Sequence, residues 1–323
     1  MQNIDQHTSE NDQGYSLNSL SWTEKNGFPG WVMGLGWAIG AFALFQIVAG
    51  ILAIVILISS GRISLENLDQ NALFENLDIL FISNSIGQIL FLGGMTWIIT
   101  SLSASRENKA SFLRLQSNSK TKKNMGLAFV LLLAVQPVIF WLSWLNLQFP
   151  FSESYLAFEE SQLKIIENYL RSDHIVLLTI FHIGVVPAFC EELLFRGYIL
   201  RNFERSMLPW LAIILSGLIF GLFHIRLTQF IPLALLGIIM AWMTIETRSI
   251  WPAVVAHFVN NAGSVLAATY FPEIVMDDSI KDVMPPLYLV GLSIIVTYFI
   301  IQAMKRINIQ PDEGENHVQR YKT

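Results

Sequence analysis

The chain has 323 residues, of which 53% are hydrophobic and only 14% are charged, a balance that lies outside the usual range of soluble domains and indicates a protein of the lipid bilayer. The formal net charge is −5, and the basic residues form no patch interleaved with aromatic side chains, which argues against a nucleic-acid partner. A single cysteine, Cys190, excludes an intramolecular disulfide and any site built on several cysteines.

The first thirty residues read as a polar tail. Acidic residues in this stretch outnumber its one basic residue, Lys25, so it lacks the basic start and early apolar run of a secretory signal. We predict that residues 1–30 form a cytoplasmic tail.

Eight apolar stretches follow the tail. A bilayer core about 30 Å thick requires about 20 apolar residues per helix, because no water is present there to satisfy broken backbone hydrogen bonds. The sequence therefore predicts an all-α, polytopic transmembrane helix bundle of about eight spanning helices, at residues 31–60, 79–105, 124–149, 174–190, 207–224, 227–245, 250–271 and 283–304. The fourth stretch reaches full length only if its helix continues through Glu191, Glu192 and Arg196, which places charged groups at membrane depth.

No internal repeat and no long linker divides the chain into independent domains. We expect N-terminal transmembrane helices and an amphipathic loop at 31–173, a core that carries the polar clusters described next at 174–268, and a last helix with a cytoplasmic tail at 269–323. Within the first region, residues 154–169 mix acids with apolar side chains and are predicted to form an amphipathic helix on the outer interface.

Basic residues predict the orientation, because Lys and Arg of multi-pass proteins stay preferentially in the cytoplasm. The loop at 106–123 carries six of them, and placing it inside puts 15 of the 20 Lys and Arg on that side. Both termini are then cytoplasmic, as an even number of crossings requires. The absence of organelle signals and the compact length favour a bacterial inner membrane.

The first polar cluster lies in the fourth stretch. Glu192 and Arg196 are four residues apart and can pair on one helix face. Glu191 lies about 100° around the helix, so it can remain the less neutralised carboxylate, as a general base or acid requires. The structural alternative is a cytoplasmic helix end that carries solvated charges.

Two further clusters lie in the fifth and seventh stretches. Phe220 and His224 share a helix face at positions i and i+4, and so do His257 and Asn261. Each pair by itself also fits a packing role, as a buried histidine or as an interhelical hydrogen-bond clamp. Together the three clusters supply a carboxylate, two imidazoles and a carboxamide, which suffice for water activation and oxyanion stabilisation.

The order of these clusters resembles the three motifs of the CPBP family, the CAAX protease and bacteriocin-processing intramembrane peptidases, also called the Abi family. The matching residues are Glu191-Glu192-x-x-x-Arg196, then Phe220-x-x-x-His224, then His257-x-x-x-Asn261. The resemblance covers roughly residues 174–268, including the run at 249–253 that leads into the last motif. It implies hydrolysis of peptide bonds within the membrane, with bilayer lipid and a peptide or lipidated protein, such as a CAAX end, as partners.

The resemblance also implies a role for each motif residue. Glu191 is expected to activate water with the assistance of His224, while His257 and Asn261 are expected to steady the tetrahedral oxyanion. Supporting or structural roles then fall to the remaining motif residues, Glu192, Arg196 and Phe220. The residues themselves leave open whether Glu192 is the base instead.

A metal cofactor is left open as well. Glu191, His224 and His257 form the two-histidine, one-carboxylate set of a catalytic zinc site, and members of the family are often described as metallopeptidases. A metal-free glutamate mechanism fits the same residues, since the chain contains no HExxH helix.

Three other functions stay open. A non-catalytic bacteriocin-immunity or peptide-binding protein would use the same pocket without chemistry. A transporter or proton relay would also place Glu and His in the membrane, although no repeat is evident and the first three stretches carry no charge. Cys190 could serve as a thiol nucleophile beside His224, although a small buried apolar role suits it better.

The depth of the fifth stretch poses a conflict. A helix that starts near residue 207 on the cytoplasmic side carries His224 far toward the outer face, whereas Glu191 and His257 lie nearer the inner one. Either residues 206–210 lie at the interface and the span starts later, or residues 225–229 turn back within the protein.

Overall fold

A computed structural model describes residues 21–64, 66, 75–104, 108–171, 176–275 and 283–309. Within these ranges the regular elements are all helical, and the expected all-α bundle is confirmed. The predicted tail at 1–30 falls largely outside the described residues, and its last part contains a short helix.

The helices are α1 (Trp22–Lys25), α2 (Gly30–Ser59), α3 (Leu77–Ser103), α4 (Lys109–Phe112), α5 (Thr121–Leu147), α6 (Glu153–Arg171), α7 (Val176–Glu204), α8 (Pro209–Phe223), α9 (Phe230–Thr247), α10 (Trp251–Tyr270), α11 (Pro272–Val275) and α12 (Leu287–Ile309). Two of them include π-helical turns, at Gln88–Met95 in α3 and at Ile180–Val185 and Leu193–Ile199 in α7. A 3₁₀ turn, Leu227–Gln229, leads into α9.

Helix length and composition separate these elements into two groups. In the described part of the chain, six segments are long and apolar enough to cross a membrane, namely α2, α3, α5, α7, α12 and α9 with its preceding turn. Helix α8 has 15 residues, or about 22 Å at 1.5 Å per residue, which is shorter than the bilayer core. Helix α10 has 20 residues but is not one of the six. A polytopic membrane bundle is confirmed, whereas the count of eight spans is not.

Helix α7 is the centre of the packing. It continues from Val176 through the charged cluster to Glu204. The fourth predicted stretch therefore does reach full length by including the charged residues. Its apolar side chains from Leu194 to Leu200 belong to the main hydrophobic core. The π-helical turn that follows Glu192 alters the helix locally at this point, and such turns occur frequently at functional sites.

Helices α8 and α9 form a tight antiparallel hairpin. A β-carbon added at Gly237 would lie 2.8 Å from the backbone oxygen of Gly217, and one added at Gly217 would lie 2.6 Å from the backbone nitrogen of Ile238. Backbones approach this closely only where side chains are absent. The hairpin therefore fixes the position of the short helix α8 against its longer partner.

Polar contacts identify one end of the bundle. The loop at 104–120 joins α3 to α5, and both flanking helix ends are tied to other elements there. Arg205 donates to the backbone oxygen of Ser103 at 2.6 Å, and Asn124 donates to Asn308 at 2.9 Å. The C-terminal ends of α3, α7 and α12 and the N-terminal end of α5 therefore share this face.

Candidate active site

Glu192 lies at the centre of a buried polar cluster. Its Oε2 is 3.1 Å from Nε of Arg196, and its Oε1 is 2.9 Å from Nδ1 of His257. Glu192 and Arg196 are fully buried, and His257 is 4% exposed. The structure thus contains the ion pair predicted from the i, i+4 spacing and adds a contact to α10 that helix spacing alone does not indicate.

Phe220 packs between the cation and the imidazole. The guanidinium carbon of Arg196 lies 4.5 Å from the Phe220 ring centroid, within cation–π distance. The same ring meets His257 edge-to-face at 5.6 Å. Among the described residues, no side-chain nitrogen of Arg196 has an aligned hydrogen bond, so the aromatic face and the close Glu192 carboxylate together surround this charge.

Glu191 faces His224 across a short gap. Oε2 of Glu191 lies 4.0 Å from Nε2 of His224, which is beyond hydrogen-bond distance and suits a bridging water. Nδ1 of His224 is 2.8 Å from the backbone oxygen of Phe220. Because a carbonyl only accepts, Nδ1 carries a proton, and in the neutral form of the ring Nε2 is the acceptor that faces Glu191.

The depth conflict disappears because α7 continues for 13 residues past Glu191, from 191 to 204, a length close to the 15 residues of α8 that precede His224. Helix α8 ends directly before His224, and Ile225 adopts a left-handed conformation with φ 53°. Residues 225–229 then turn back into α9, with the Thr228 side chain buried. His224 therefore stops partway across the bundle, opposite Glu191, which lies near the middle of α7.

Asn261 is held by two neighbours. Its Nδ2 donates to the backbone oxygen of Ile183, in a π-helical turn of α7, at 3.0 Å, and its Oδ1 accepts from Nδ2 of Asn260 at 3.2 Å. Sequence reasoning did not select Asn260. Its position three residues after His257 was the signal, because i and i+3 share a helix face.

A small cavity joins these groups. It is lined by Leu132, Phe220, His224, Leu233, Leu236, Met240, Ala256, His257, Asn260 and Asn261. The part that water can occupy is about 20 Å³, enough for about one molecule. Two imidazoles and two carboxamides thus meet at one water-sized space with otherwise apolar walls.

The residues proposed for zinc do not come together as ligands. Among the described residues, no three His, Cys, Asp or Glu side chains form a group that could hold a metal ion. The hydrogen bonds of His257 to Glu192 and of His224 to a backbone carbonyl leave Nε2 of each ring open, as in a metal ligand, so the misfit lies in the separation of the three side chains. The donor set of Glu191, His224 and His257 therefore does not fit a zinc site in this arrangement.

Cys190 packs in the apolar core. It is 4% exposed, and a β-carbon added at Gly93 of α3 would lie 3.5 Å from its sulfur. The side chain therefore fills space between α7 and α3. This position agrees with the prediction that Cys190 is a small buried apolar residue.

The comparison with protein families agrees with the motifs. Residues 173–263 match the family model described as type II CAAX prenyl endopeptidase Rce1-like. Comparisons with curated proteins and with solved structures found no match. The matched segment begins before α7, ends within α10 and contains all three polar clusters, whereas α2, α3, α5 and α12 lie outside it. Residues 173–263 of this chain are thus similar to the Rce1-like type II CAAX prenyl endopeptidases and form a segment of a multi-pass membrane protein.

Proposed function

We propose that this protein is an intramembrane endopeptidase that hydrolyses a peptide bond of a membrane-associated substrate, such as a CAAX-like end or a leader peptide, with water activated by a glutamate. The observation that carries the proposal is the approach of Glu191 to His224, whose ring also lines a water-sized cavity. The family match to CAAX endopeptidases supports the reaction class.

Glu191 is the proposed general base. Its Oε2 has no hydrogen-bond partner among the described residues, and a water between it and Nε2 of His224 could give a proton to the carboxylate while the imidazole orients it. Glu192 suits this role less well, because Arg196 and His257 already engage its two oxygens.

His257 and Asn261 are the proposed oxyanion donors. Glu192 accepts from Nδ1 of His257, so the ring is held in one orientation, and a proton on Nε2 would make it a donor. Asn261 uses one amide hydrogen on Ile183 and retains a second. Both side chains line the cavity, where a low dielectric strengthens such donors.

The cavity also limits how a substrate reaches the site. Its water-accessible volume of about 20 Å³ holds a water but no peptide. The apolar walls from α5 and α9 therefore have to separate for a substrate to bind. We propose bilayer lipid and a peptide or lipidated protein as the partners of these surfaces.

We further propose that the protein resides in a bacterial inner membrane with both termini in the cytoplasm. Arg114, in the described part of the loop between α3 and α5, pairs with Glu204 at the end of the bundle where Arg205 contacts Ser103. The start of α5 and the end of α12 meet at that end too, and the basic residues near them support a cytoplasmic side.

The test is cleavage of membrane-delivered, C-terminally labelled peptides by detergent-purified protein. We expect Glu191→Gln to lower kcat by at least about 100-fold, with an unchanged thermal unfolding temperature. Glu160→Gln makes the same chemical change at an exposed position and should cleave as the wild type does. Full activity of folded Glu191→Gln would refute the assignment of the base.

A second outcome would favour the peptide-binding or immunity function instead of catalysis. In that case the wild-type protein retains peptides without cleaving them, and the Glu191→Gln, His224→Ala and His257→Ala variants release them.

Dialysis against EDTA provides a separate test of zinc. Because the three proposed ligands do not converge, we expect the cleavage rate to survive chelation. A loss that added zinc restores would contradict this expectation.

A further inference from the structure

Helix α6 buries one carboxylate among exposed ones. Glu159 is only 3% exposed, whereas the side chain of its neighbour Glu160 is 64% exposed and pairs with Lys164 at 2.8 Å. Burying a carboxylate is costly unless hydrogen bonds compensate. The hydrogen-bond donors to Glu159 therefore show which part of the protein α6 stabilises.

All of these partners lie on α6 or on the turn that follows His224. Oε1 of Glu159 accepts from the backbone nitrogen of Thr228 at 3.3 Å and from the hydroxyl of Tyr155. Oε2 accepts from the hydroxyl of Thr228. The Tyr155 oxygen in turn accepts from the backbone nitrogen of Leu227 at 2.7 Å and lies 3.1 Å from the backbone oxygen of Ile225.

The phenol of Tyr155 suits a lasting donor role. Burial raises its pKa above the ordinary value, and the hydrogen bond to Glu159 raises it further. The hydroxyl thus keeps its proton across the physiological range and can donate to the carboxylate. The hydroxyl has one proton and donates to one acceptor at a time. The charged Glu159 carboxylate is closer than the Ile225 carbonyl and is the preferred acceptor.

The turn requires such support because its backbone is unfavourable. Ile225 directly follows His224 and has φ 53°, a left-handed conformation that β-branched residues rarely adopt. A residue persists in this region only when its surroundings hold it there. Asn146 of α5 adds a second support, since it donates to the backbone oxygen of Leu227 at 2.8 Å and accepts from the backbone nitrogen of Ile231 at 2.8 Å.

We propose that Glu159, together with Tyr155, is a positioning residue that fixes the turn at 225–228 and thereby sets the gap between Nε2 of His224 and Glu191. This inference rests on the proposed peptidase function of that pair. Neither residue contacts the cavity that would hold the reacting water. Their effect reaches the site through the backbone, from Thr228 and Leu227 to His224.

The experiment compares Glu159→Gln and Tyr155→Phe with Glu160→Gln, the matched change on the exposed face of the same helix. Each protein is purified in detergent with ¹³C-labelled histidine, and the His224 ring signal is identified by its loss in His224→Gln. Steady-state cleavage gives kcat and KM separately, and thermal unfolding reports the folded fraction.

We expect Glu159→Gln to lower kcat by at least about tenfold, because small displacements of a catalytic group have effects of this order, with KM within twofold of the wild type. The His224 signal should shift in both α6 variants and stay unchanged in Glu160→Gln. Tyr155→Phe keeps the charge of Glu159, so a shift there assigns the effect to the geometry of the turn.

Wild-type kcat with an unshifted His224 signal in folded Glu159→Gln would overturn the proposal. A fall in activity that only follows a fall in folded protein, with His224 unshifted in what remains folded, would overturn it as well. If the wild-type protein cleaves nothing, the peptidase function fails by itself, and the His224 signal still decides whether Glu159 positions that ring.

Discussion

Two adjacent glutamates in α7 have different surroundings. Glu192 contacts Arg196 and His257 and is fully buried, while Oε2 of Glu191 lies 4.0 Å from the ring of His224. A carboxylate between a guanidinium and an imidazole holds two helices in register. The Glu191 carboxylate keeps one oxygen without a hydrogen-bond partner among the described residues, as the proposed general base requires. The chemistry of the site thus follows from a rotation of about 100° along one helix.

The structural role of Glu192 leads to a stability prediction. Glu192→Gln leaves Arg196 as an uncompensated buried charge, a change that costs about 3–5 kcal/mol in folded proteins. We expect the Glu192→Gln variant to have a much lower free energy of unfolding than the Glu191→Gln variant, as measured by denaturant titration in detergent. Equal stability of the two variants would show that the buried charge of Arg196 does not depend on Glu192 for its compensation.

Glu24 provides a pH prediction away from the membrane core. Burial raises its pKa, but hydrogen bonds from the backbone and side chain of Ser21 and the charge of Arg205 outweigh that effect, and the pKa lies below the ordinary 4.5. A lowered pKa in the folded protein means that the ionised form stabilises α1. This contribution is present above pH 4.5 and is lost as the pH falls through the folded pKa.

We therefore expect amides of α1 to lose protection against hydrogen exchange below about pH 4.5, after normalisation to an unstructured peptide at each pH. Glu24→Gln should show, at every pH, the weak protection that the wild type shows only at low pH. A wild-type protein with the same α1 protection at pH 3 and pH 6 would contradict this account of the Ser21 cap.

At the scale of elements, the hairpin of α8 and α9 determines where His224 stops. Gly237→Ala would place a β-carbon 2.8 Å from backbone atoms of Gly217, and backbone cannot yield as a flexible side chain can. We expect a loss of about 1–3 kcal/mol of stability, typical of overpacked cores, together with reduced cleavage. Thermal unfolding and peptide cleavage measure the two effects.

Gly36→Ala is the matched control, because nothing lies within 4 Å of its added β-carbon and alanine favours helix over glycine. Its unfolding temperature should equal or exceed that of the wild type. If Gly237→Ala behaves in the same way, α8 and α9 do not pack as closely as the structure shows.

At the scale of the whole molecule, the two ends of α5 report the orientation. Lys122 and Gln148 are both exposed, one near each end of the helix. In a Cys190→Ala background, we expect a membrane-impermeant thiol reagent to label Gln148→Cys but not Lys122→Cys in intact bacterial cells. Inverted vesicles should give the reverse pattern. Labelling of Lys122→Cys in intact cells would place the loop at 106–123 outside.

Much of this molecule follows from local rules. Composition predicted the bilayer as the solvent, apolar length predicted where helices lie, and the spacing of Glu192 and Arg196 predicted their ion pair. Such inferences succeed because helix geometry relates residues three and four apart, whatever the rest of the chain does. The count of eight spans is not confirmed by the same criterion, because α8 is shorter than the bilayer core and α10 is not one of the six qualifying spans in the described residues.

Tertiary structure decided the contacts between elements. The pairings of Glu192 with His257 and of Glu191 with His224 depend on how α7, α8 and α10 are rotated and where α8 ends. No local propensity predicts left-handed Ile225, since only contacts from other helices offset its cost. The sequence alone therefore identified the groups that could react, while their distances came from packing between helices far apart in the chain.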